Sequence, residues 1–420
     1  MKVGIFTDTY FPQVSGVATS TKTLKDNLEA MGHEVYIFTT TDPNSQDLED
    51  LSIIRLPSVP FISFTDRRVV MRGMRSAYLL AKKQEIDIVH TQTEFGVGMI
   101  GKHVAKQMDI PIIHTLHTKY EDYVHYIAKG KIIHPGMIKY LMRAYLSKYS
   151  AVICPSKIVY DTTEKYGIKI PRRVIPTGIE LGKFVRPDIG DKEVNVLREK
   201  LGISNDETML LSLSRISYEK NIQAVIKAMP NVLEDVKCKL IIVGDGPHRE
   251  ELEKLVDSLD LVDKVIFVGM VDPKDVALYY KASDFFISAS TSETQGLTYT
   301  ESLAAGTPII ASDNPYLHDL VDNKMFGHLF TDEEDLAEDI KEAISSTPKM
   351  EEARLESKLF EISAENFAQK VYEFYVDTII SHGTQKSLKK SKLASGKYNP
   401  KKIPRKLVIS LKSRKEDDIV

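Results

Sequence analysis

Short apolar segments alternating with helix-spaced ones run along the chain twice, and this alternation limits the fold more than any other feature. KVGIFTDTY, EVYIFTTT, SIIRLP, IDIVHTQT, IPIIHTLHT, AVICPS and RVIPTGI fall within the first 180 residues. Brief, largely apolar runs of this kind mark strands of a parallel sheet covered on both faces. VATSTKTLKDNLEAM, which stops at Gly32, has the spacing of a helix between two of them. The alternation pauses at LGKFVRPDIGDKEVN, a polar stretch with Gly182, Pro187 and Gly190 that suits a linker. It resumes through TMLLSLSR, CKLIIVGDGP, KVIFVGMV, DFFISAS and TPIIAS. The expected architecture is α/β, with two doubly wound domains of similar size facing each other across a cleft. We place them at 1–180 and 181–360. SAENFAQKVYEFYVDTII supplies a last amphipathic helix within 361–382, with room to cross back to the first domain, and 383–420 form a Lys-rich tail.

A length of 420 residues fits two domains with additions. Cys154 and Cys238 both sit in apolar strand-like runs and read as buried thiols, not as a disulfide or a metal pair. Asp8 interrupts the N-terminus early, so MKVGIFTDTY reads as a first strand and not a secretion signal. No run approaches the ~20 apolar residues needed to span a bilayer, and the expected location is the cytoplasm. Charge is uneven. Residues 1–180 carry 23 Lys and Arg against 18 Asp and Glu, residues 181–382 carry 21 against 38, and residues 383–420 carry 12 against 3. A basic front, acidic middle and basic tail direct only part of the molecule toward an anionic partner.

In open parallel sheets ligands bind beyond the carboxyl ends of the strands. Several unusual residues follow strands here: Gly16, Glu94, His117, Arg215, Lys220, Gly244, Asp245 and the segment SETQGLTYTE. In that segment Gly296 permits a sharp turn, and a helix beginning near Leu297 points free N–H groups at the cleft, a favourable place for phosphate. Glu293 precedes the turn and Glu301 falls in the first helical turn. The two carboxylates can hold hydroxyls at opposite ends of one nucleotide-sugar. The competing reading of Glu301 is a capping box with Thr298, which needs no ligand. Arg215 and Lys220 can neutralise a diphosphate leaving group, or can be solvated charges near a helix start. VGDGP is a turn that many loops contain. Gly16 lies at a strand-to-helix turn without the G-x-G-x-x-G dinucleotide fingerprint. Of His114, His117 and His125, His117 stands at the mouth of a strand ending near Thr115. The histidines and acids show no metal-ligand spacing, and no obligatory metal is expected.

Glu293-x7-Glu301 followed by Ser302-Leu-Ala-Ala-Gly306-Thr-Pro308 resembles the E-x7-E signature of retaining GT-B glycosyltransferases. The resemblance runs over nearly the whole chain, through Gly16, His117, Thr177–Glu180, Arg215, Lys220 and Gly244-Asp245-Gly246. It implies a catalytic pair of His117, beside the reacting sugar, and Glu293, on the hexose hydroxyls. It implies a donor site of Gly16, Arg215, Lys220, Gly244, Glu293, Thr294, Gln295, Gly296, Leu297 and Glu301, with Arg215 and Lys220 on the diphosphate and Glu301 on the ribose. The chain departs from the common E-G-F-G-x-P form: Thr294, Gln295 and Thr298 replace a glycine, an aromatic and a proline. Thr177 stands where asparagine is usual. ETQGLTY, with HTQTEF and HTKYEDYVHY, is similar to the bacterial diacylglycerol glucosyltransferases, which implies UDP-glucose as donor and diacylglycerol as acceptor.

A lipid acceptor requires a membrane surface. TDRRVVMRGMRSAYLLAKK, Thr65 to Lys83, has helical spacing that gathers Arg68, Arg72, Arg75 and Lys82 on one face. GMIKYLMRAYLSKY adds Lys139, Arg143 and Lys148 beside Ile138, Leu141, Met142 and Tyr145. The expectation is an enzyme peripheral on the inner face of the cell membrane, held by anionic lipid, with no nucleic-acid partner. Both stretches also suit ordinary surface helices. The alternatives are a glycosylated lipid or polysaccharide precursor as acceptor, a UDP-sugar epimerase, and a membrane-bound UDP-sugar sensor without turnover.

Overall fold

The computed structural model describes residues 1–13, 15–45, 50–61, 64–117, 135–290, 293 and 295–395. The first half contributes β1 (Lys2–Phe6), β2 (Glu34–Thr40), β3 (Ile53–Leu56), β4 (Ser58–Phe61), β5 (Phe64–Val70), β6 (Ile88–Thr91), β7 (Ile112–Thr115), β8 (Ala151–Cys154) and β9 (Arg172–Val174). Seven of these form one parallel sheet in the order β3-β2-β1-β6-β7-β8-β9, and β4 pairs antiparallel with β5. The second half contributes β10 (Thr208–Leu213), β11 (Cys238–Val243), β12 (Val265–Gly269), β13 (Phe285–Ser288), β14 (Ile309–Ser312) and β15 (Gly327–Phe330), a parallel sheet in the order β12-β11-β10-β13-β14-β15. These are two doubly wound domains, as the alternation predicts.

Each sheet has a core on both faces because strand side chains alternate. In β10, Leu210 joins one cluster while Met209 and Leu211 join the other. In β1, Phe6 lies on one face and Val3 and Ile5 on the opposite one. Cys154 and Cys238 are buried free thiols. The last helix, Ala364–Ser395, returns to the first domain: Phe367, Ala368, Val371, Phe374 and Tyr375 pack with Val3, Ile5, Leu24 and Leu28. It runs well past Gly383, where the sequence reading begins the tail.

The basic helix expected over 65–83 is split. Residues Phe64–Val70 are β5, paired with β4, and only Met74–Lys83 is helical. The β-branched Val69 and Val70 favour the strand, and Gly73 sets the helix start. Arg68 therefore leaves the proposed face: its Nε donates to Ser58 Oγ at 3.0 Å and its Nη2 to Ser58 O at 2.9 Å. Arg72, Arg75 and Lys82 are exposed. The second stretch is a helix, Pro135–Leu146, that buries Ile138, Met142 and Leu146 and leaves Lys139, Arg143, Tyr140 and Leu141 exposed.

Candidate active site

Each sheet reverses its strand order once, at β1/β6 in the first and β10/β13 in the second. Loops diverge at such switch points and leave a crevice. In the first domain Asp8 lies two residues beyond β1, at this switch point. Its backbone N–H donates to Thr93 Oγ1 at 2.9 Å, its Oδ2 accepts from Thr93 Oγ1 at 2.6 Å, and its Oδ1 accepts from Val97 N at 3.0 Å. Burial raises the Asp8 carboxyl above its usual range. Asp8 thereby supplies the cap that Phe95 cannot give to helix Gly96–Met108. Gly16 opens helix Gly16–Ala30, which is capped by Ser15 Oγ accepting from Ala18 N at 3.2 Å. A side chain added at Gly16 meets nothing within 4 Å, so the space in front of it is open.

His117 is two residues beyond the end of β7, as its place in the sequence predicts. Its Nε2 lies 2.7 Å from Gln92 Oε1. Burial, with His114 nearby, pushes the ring down to about 4, so it is neutral at pH 7. His114 is itself enclosed, 2.8 Å from Thr91 Oγ1 and 3.1 Å from Glu94 Oε1. His125 and Thr294 lie outside the described residues.

In the second domain the switch point carries charge. Lys220 Nζ, from the loop after β10, donates to Glu293 Oε1, from the loop after β13. Arg215 is exposed beside this pair in sequence and has no ion-pair partner among the described residues. Gly244, at φ +129°, packs so tightly that a Cβ would lie 1.9 Å from Ser214 O; it brings its loop against the backbone that carries Arg215. Gly296 precedes helix Leu297–Ala304 at φ +74°, where a Cβ would stand 2.5 Å from the Tyr299 ring.

The structure excludes the capping-box reading of Glu301. The helix starts at Leu297 with Gly296 as its cap, so Glu301 is its fifth residue, beyond the first turn, and Thr298 makes no capping box. Tyr280 Oη donates to Glu301 Oε2 at 3.1 Å, and burial pushes the Glu301 carboxyl up to about 7. The carboxyl takes no part in capping the helix and has Tyr280 as its hydrogen-bond partner. Gln295 is expected at the donor through the backbone N–H groups that follow Glu293, and its side chain turns to the segment after β9. Its Oε1 accepts from Thr177 N at 2.8 Å and its Nε2 donates to Thr177 O at 2.7 Å, which ties this side chain to the interdomain connection. Thr177 Oγ1 lies 2.9 Å from Ser20 Oγ, so the loop after β13, the segment after β9 and helix Gly16–Ala30 meet at one point. The carboxyl ends of the two sheets therefore face each other. Sequence reasoning missed Gln92, His90 and Tyr280. The first two stand in HTQTEF beside Glu94, whereas nothing in KASDFF marks Tyr280.

The Glycosyl transferases group 1 family model matches residues 193–358 and the Glycosyltransferase Family 4 model matches residues 14–183. The chain is 58% identical to an alpha-monoglucosyldiacylglycerol synthase of Streptococcus pneumoniae over 94% of its own length and 90% of the relative's. It is 36% identical to one of Acholeplasma laidlawii over 93% and 99%. A sucrose-phosphate synthase of Thermosynechococcus elongatus, at 22% identity, superposes with a TM-score of 0.72 over 89% of this chain and 98% of that one. An Anabaena protein in complex with UDP and glucose, at 17% identity, gives 0.71 over 89% and 99%. Two Rossmann-like domains, an E-x7-E segment at the second switch point and full-length relatives at this identity establish that the chain belongs to the GT-B glycosyltransferase family that contains the alpha-monoglucosyldiacylglycerol synthases.

Proposed function

We propose that this glycosyltransferase moves glucose from UDP-glucose to the free hydroxyl of 1,2-diacylglycerol with retention, giving alpha-monoglucosyldiacylglycerol. The observation that carries the reading is the Lys220–Glu293 pair at the second switch point. It sets a cation for the diphosphate beside a carboxylate for the hexose, where the C1–O bond to phosphate must break. The acceptor oxygen forms a bond to C1 as the C1–O–phosphate bond breaks. The electron pair leaves with UDP, and the hydroxyl proton passes to the departing phosphate. Arg215 and Lys220 stabilise the charge that develops there, so a metal is not obligatory. Glu301 takes the ribose hydroxyls and His117 a hydroxyl of the glucose.

Among the described residues no helix is long and apolar enough to cross a membrane. The acceptor is reached from the bilayer surface by the first domain. There Met71 is 66% exposed, Phe95 63% and Tyr140 72%, alongside Met74, Met99 and Leu141. Arg72, Arg75, Lys139 and Arg143 are exposed on the same helices or next to them. Apolar side chains that enter the headgroup region, flanked by cations, suit a peripheral position on an anionic membrane. The acidic second domain is repelled from such a surface, which turns the acceptor side of the cleft toward the bilayer.

The test is product analysis with radiolabelled UDP-glucose or UDP-galactose and diacylglycerol in vesicles. A labelled glycolipid from UDP-glucose supports the reading. An altered UDP-sugar indicates an epimerase, tight binding without turnover indicates a sensor, and a product only with a glycosylated acceptor moves the enzyme one step along glycolipid assembly.

A further inference from the structure

Asn221 stands between Lys220 and the helix Ile222–Asp235, and its backbone is left-handed, at φ +52° and ψ +35°. A Cβ is crowded in that conformation; asparagine tolerates it better than most residues, and glycine tolerates it best. An asparagine that opens a helix ordinarily accepts from one of the first free N–H groups. The Asn221 side chain makes no such bond. Its amide reaches across the second switch point instead. Nδ2 donates to the Ala289 carbonyl oxygen at 3.2 Å and to Glu333 Oε1 at 2.6 Å. Ala289 is buried and is the first residue past β13, in the segment that leads to Glu293. With two oxygen acceptors in front of it, the amide can present only its nitrogen, because Oδ1 would be repelled by both.

Ser290 makes a matching tie from the other side. It is 1% exposed, and its Oγ donates to the Glu219 carbonyl oxygen at 3.2 Å. The residues before and after Lys220 are therefore both bonded to the root of the loop that carries Glu293. The Lys220–Glu293 ion pair joins the same two loops. In the proposed reaction that pair cannot persist unchanged, because the donor diphosphate draws Lys220 while hexose hydroxyls draw Glu293. The bonds of Asn221 and Ser290 to backbone carbonyls face no such competition.

We propose that Asn221 is a positioning residue for the leaving group. By fastening the turn behind Lys220 to the Ala289 carbonyl, it keeps the Lys220 ammonium beside Glu293 when the donor parts the ion pair. The cation then stands in place for the charge that develops on the diphosphate, with no rearrangement during the step. Ser290 does the same for the residue ahead of Lys220. This rests on the reading of Lys220 as a diphosphate cation. The competing account is that Asn221 serves only its own left-handed turn. Glycine fills that role better, so the two accounts predict opposite results for a single substitution.

The experiment measures kcat, KM for UDP-glucose with diacylglycerol vesicles, and the thermal midpoint of the full chain. The variants are Asn221→Gly, Asn221→Asp and Ser290→Ala, each alone and combined with Lys220→Ala. Asn221→Gly keeps the turn and loses the tie, and is expected to lower kcat about five- to fiftyfold with KM changed less than about threefold. Asn221→Asp sets a carboxylate against the Ala289 carbonyl and the Glu333 carboxylate, and lowers kcat further. Ser290→Ala leaves the left-handed turn untouched and lowers kcat in the same direction, which carries the test if an Asn221 variant does not fold. In the Lys220→Ala background none of the three lowers kcat again by more than about twofold, because each acts through Lys220. Wild-type kcat in Asn221→Gly, with an equal or higher thermal midpoint, overturns the proposal. So does an effect that persists at full size in the Lys220→Ala background. Wild-type turnover in Lys220→Ala alone overturns instead the reading of Lys220 on which the proposal rests.

Discussion

The carboxyl of Glu301 gives a prediction whose sign and size both come from its surroundings. In the proposed donor site ribose hydroxyls donate to it, and on that reading the ionised form is the one that binds the donor. Its pKa, raised by burial to about 7, places the change inside the working range. Affinity for UDP-glucose should rise as pH climbs through about 7 and level off above it, roughly tenfold between pH 6 and pH 8 if the protonated form binds weakly. UDP-glucose is the proper probe, because UDP carries a terminal phosphate that itself titrates near pH 6. The Tyr280 hydroxyl is the hydrogen bond that holds the pKa down to this value. Tyr280→Phe removes it without changing the packing of a fully buried ring. A hydrogen bond to a charged group is worth about 1.5–3 kcal/mol, and the protonated acid keeps part of that, so the pKa should rise by roughly one unit. At pH 7 the ionised fraction then drops from about one half to about one tenth, and binding weakens about fivefold. At pH 9 the two proteins converge. Calorimetric titration at half-unit steps, with no acceptor present, reads both curves. A variant curve that runs parallel to wild type at a constant offset would mean that Tyr280 acts on the fold and not on the Glu301 proton, and a flat wild-type curve would remove Glu301 from the ribose.

Other perturbations separate the remaining roles. Glu293→Ala should lower kcat by about ten- to a hundredfold and more severely than Glu301→Ala, since a charged hydrogen bond near the reacting sugar is lost; equal effects on KM alone would place Glu293 in ground-state binding only. Activity should survive EDTA, and Arg215→Ala should weaken UDP binding; activity lost in EDTA and restored by magnesium or manganese would take the diphosphate away from Arg215 and Lys220. Replacing Arg72, Arg75, Lys139 and Arg143 by serine should weaken sedimentation with anionic vesicles, each cation contributing ~1 kcal/mol, while UDP-glucose affinity is unchanged. Wild-type vesicle binding by that variant would move the docking surface elsewhere.

The fold was legible because its signals are local. A run such as CKLIIV is apolar on both strand faces, and no other packing buries it as well, so β11 and its neighbours could be read directly. The β4–β5 hairpin was not legible: RRVVMRGMR spaces its arginines as a helix does, and only pairing with Ser58–Phe61 settles the matter. β15, GHLF, is too short to announce itself. The site divides in the same way. Glu293, Lys220 and Arg215 could be named as candidates because each follows a strand. The contacts that tie the two switch points into the fold join residues far apart in sequence: Tyr375 is 285 residues from His90, and Gln295 is 118 residues from Thr177. Contacts across such distances exist only once both sheets are formed.

Two departures from the common family pattern prove to be a single contact. Gln295 stands in place of an aromatic and Thr177 in place of an asparagine, and in the sequence they are unrelated oddities. In the fold the Gln295 amide pairs with both backbone groups of Thr177, as a strand neighbour would, while the Thr177 hydroxyl meets Ser20. An aromatic at 295 could make neither backbone bond. The same connection is fastened a second time where Ile179 bridges to Ser363, and there a Cβ on Gly178 would lie 2.1 Å from the Ser363 carbonyl oxygen. The loop that carries Glu293 is thus anchored to the junction through which the chain passes between domains in both directions. A shift of that loop on taking up the donor cannot stay local: it must strain the two Thr177 bonds or carry the junction, and with it helix Gly16–Ala30, along.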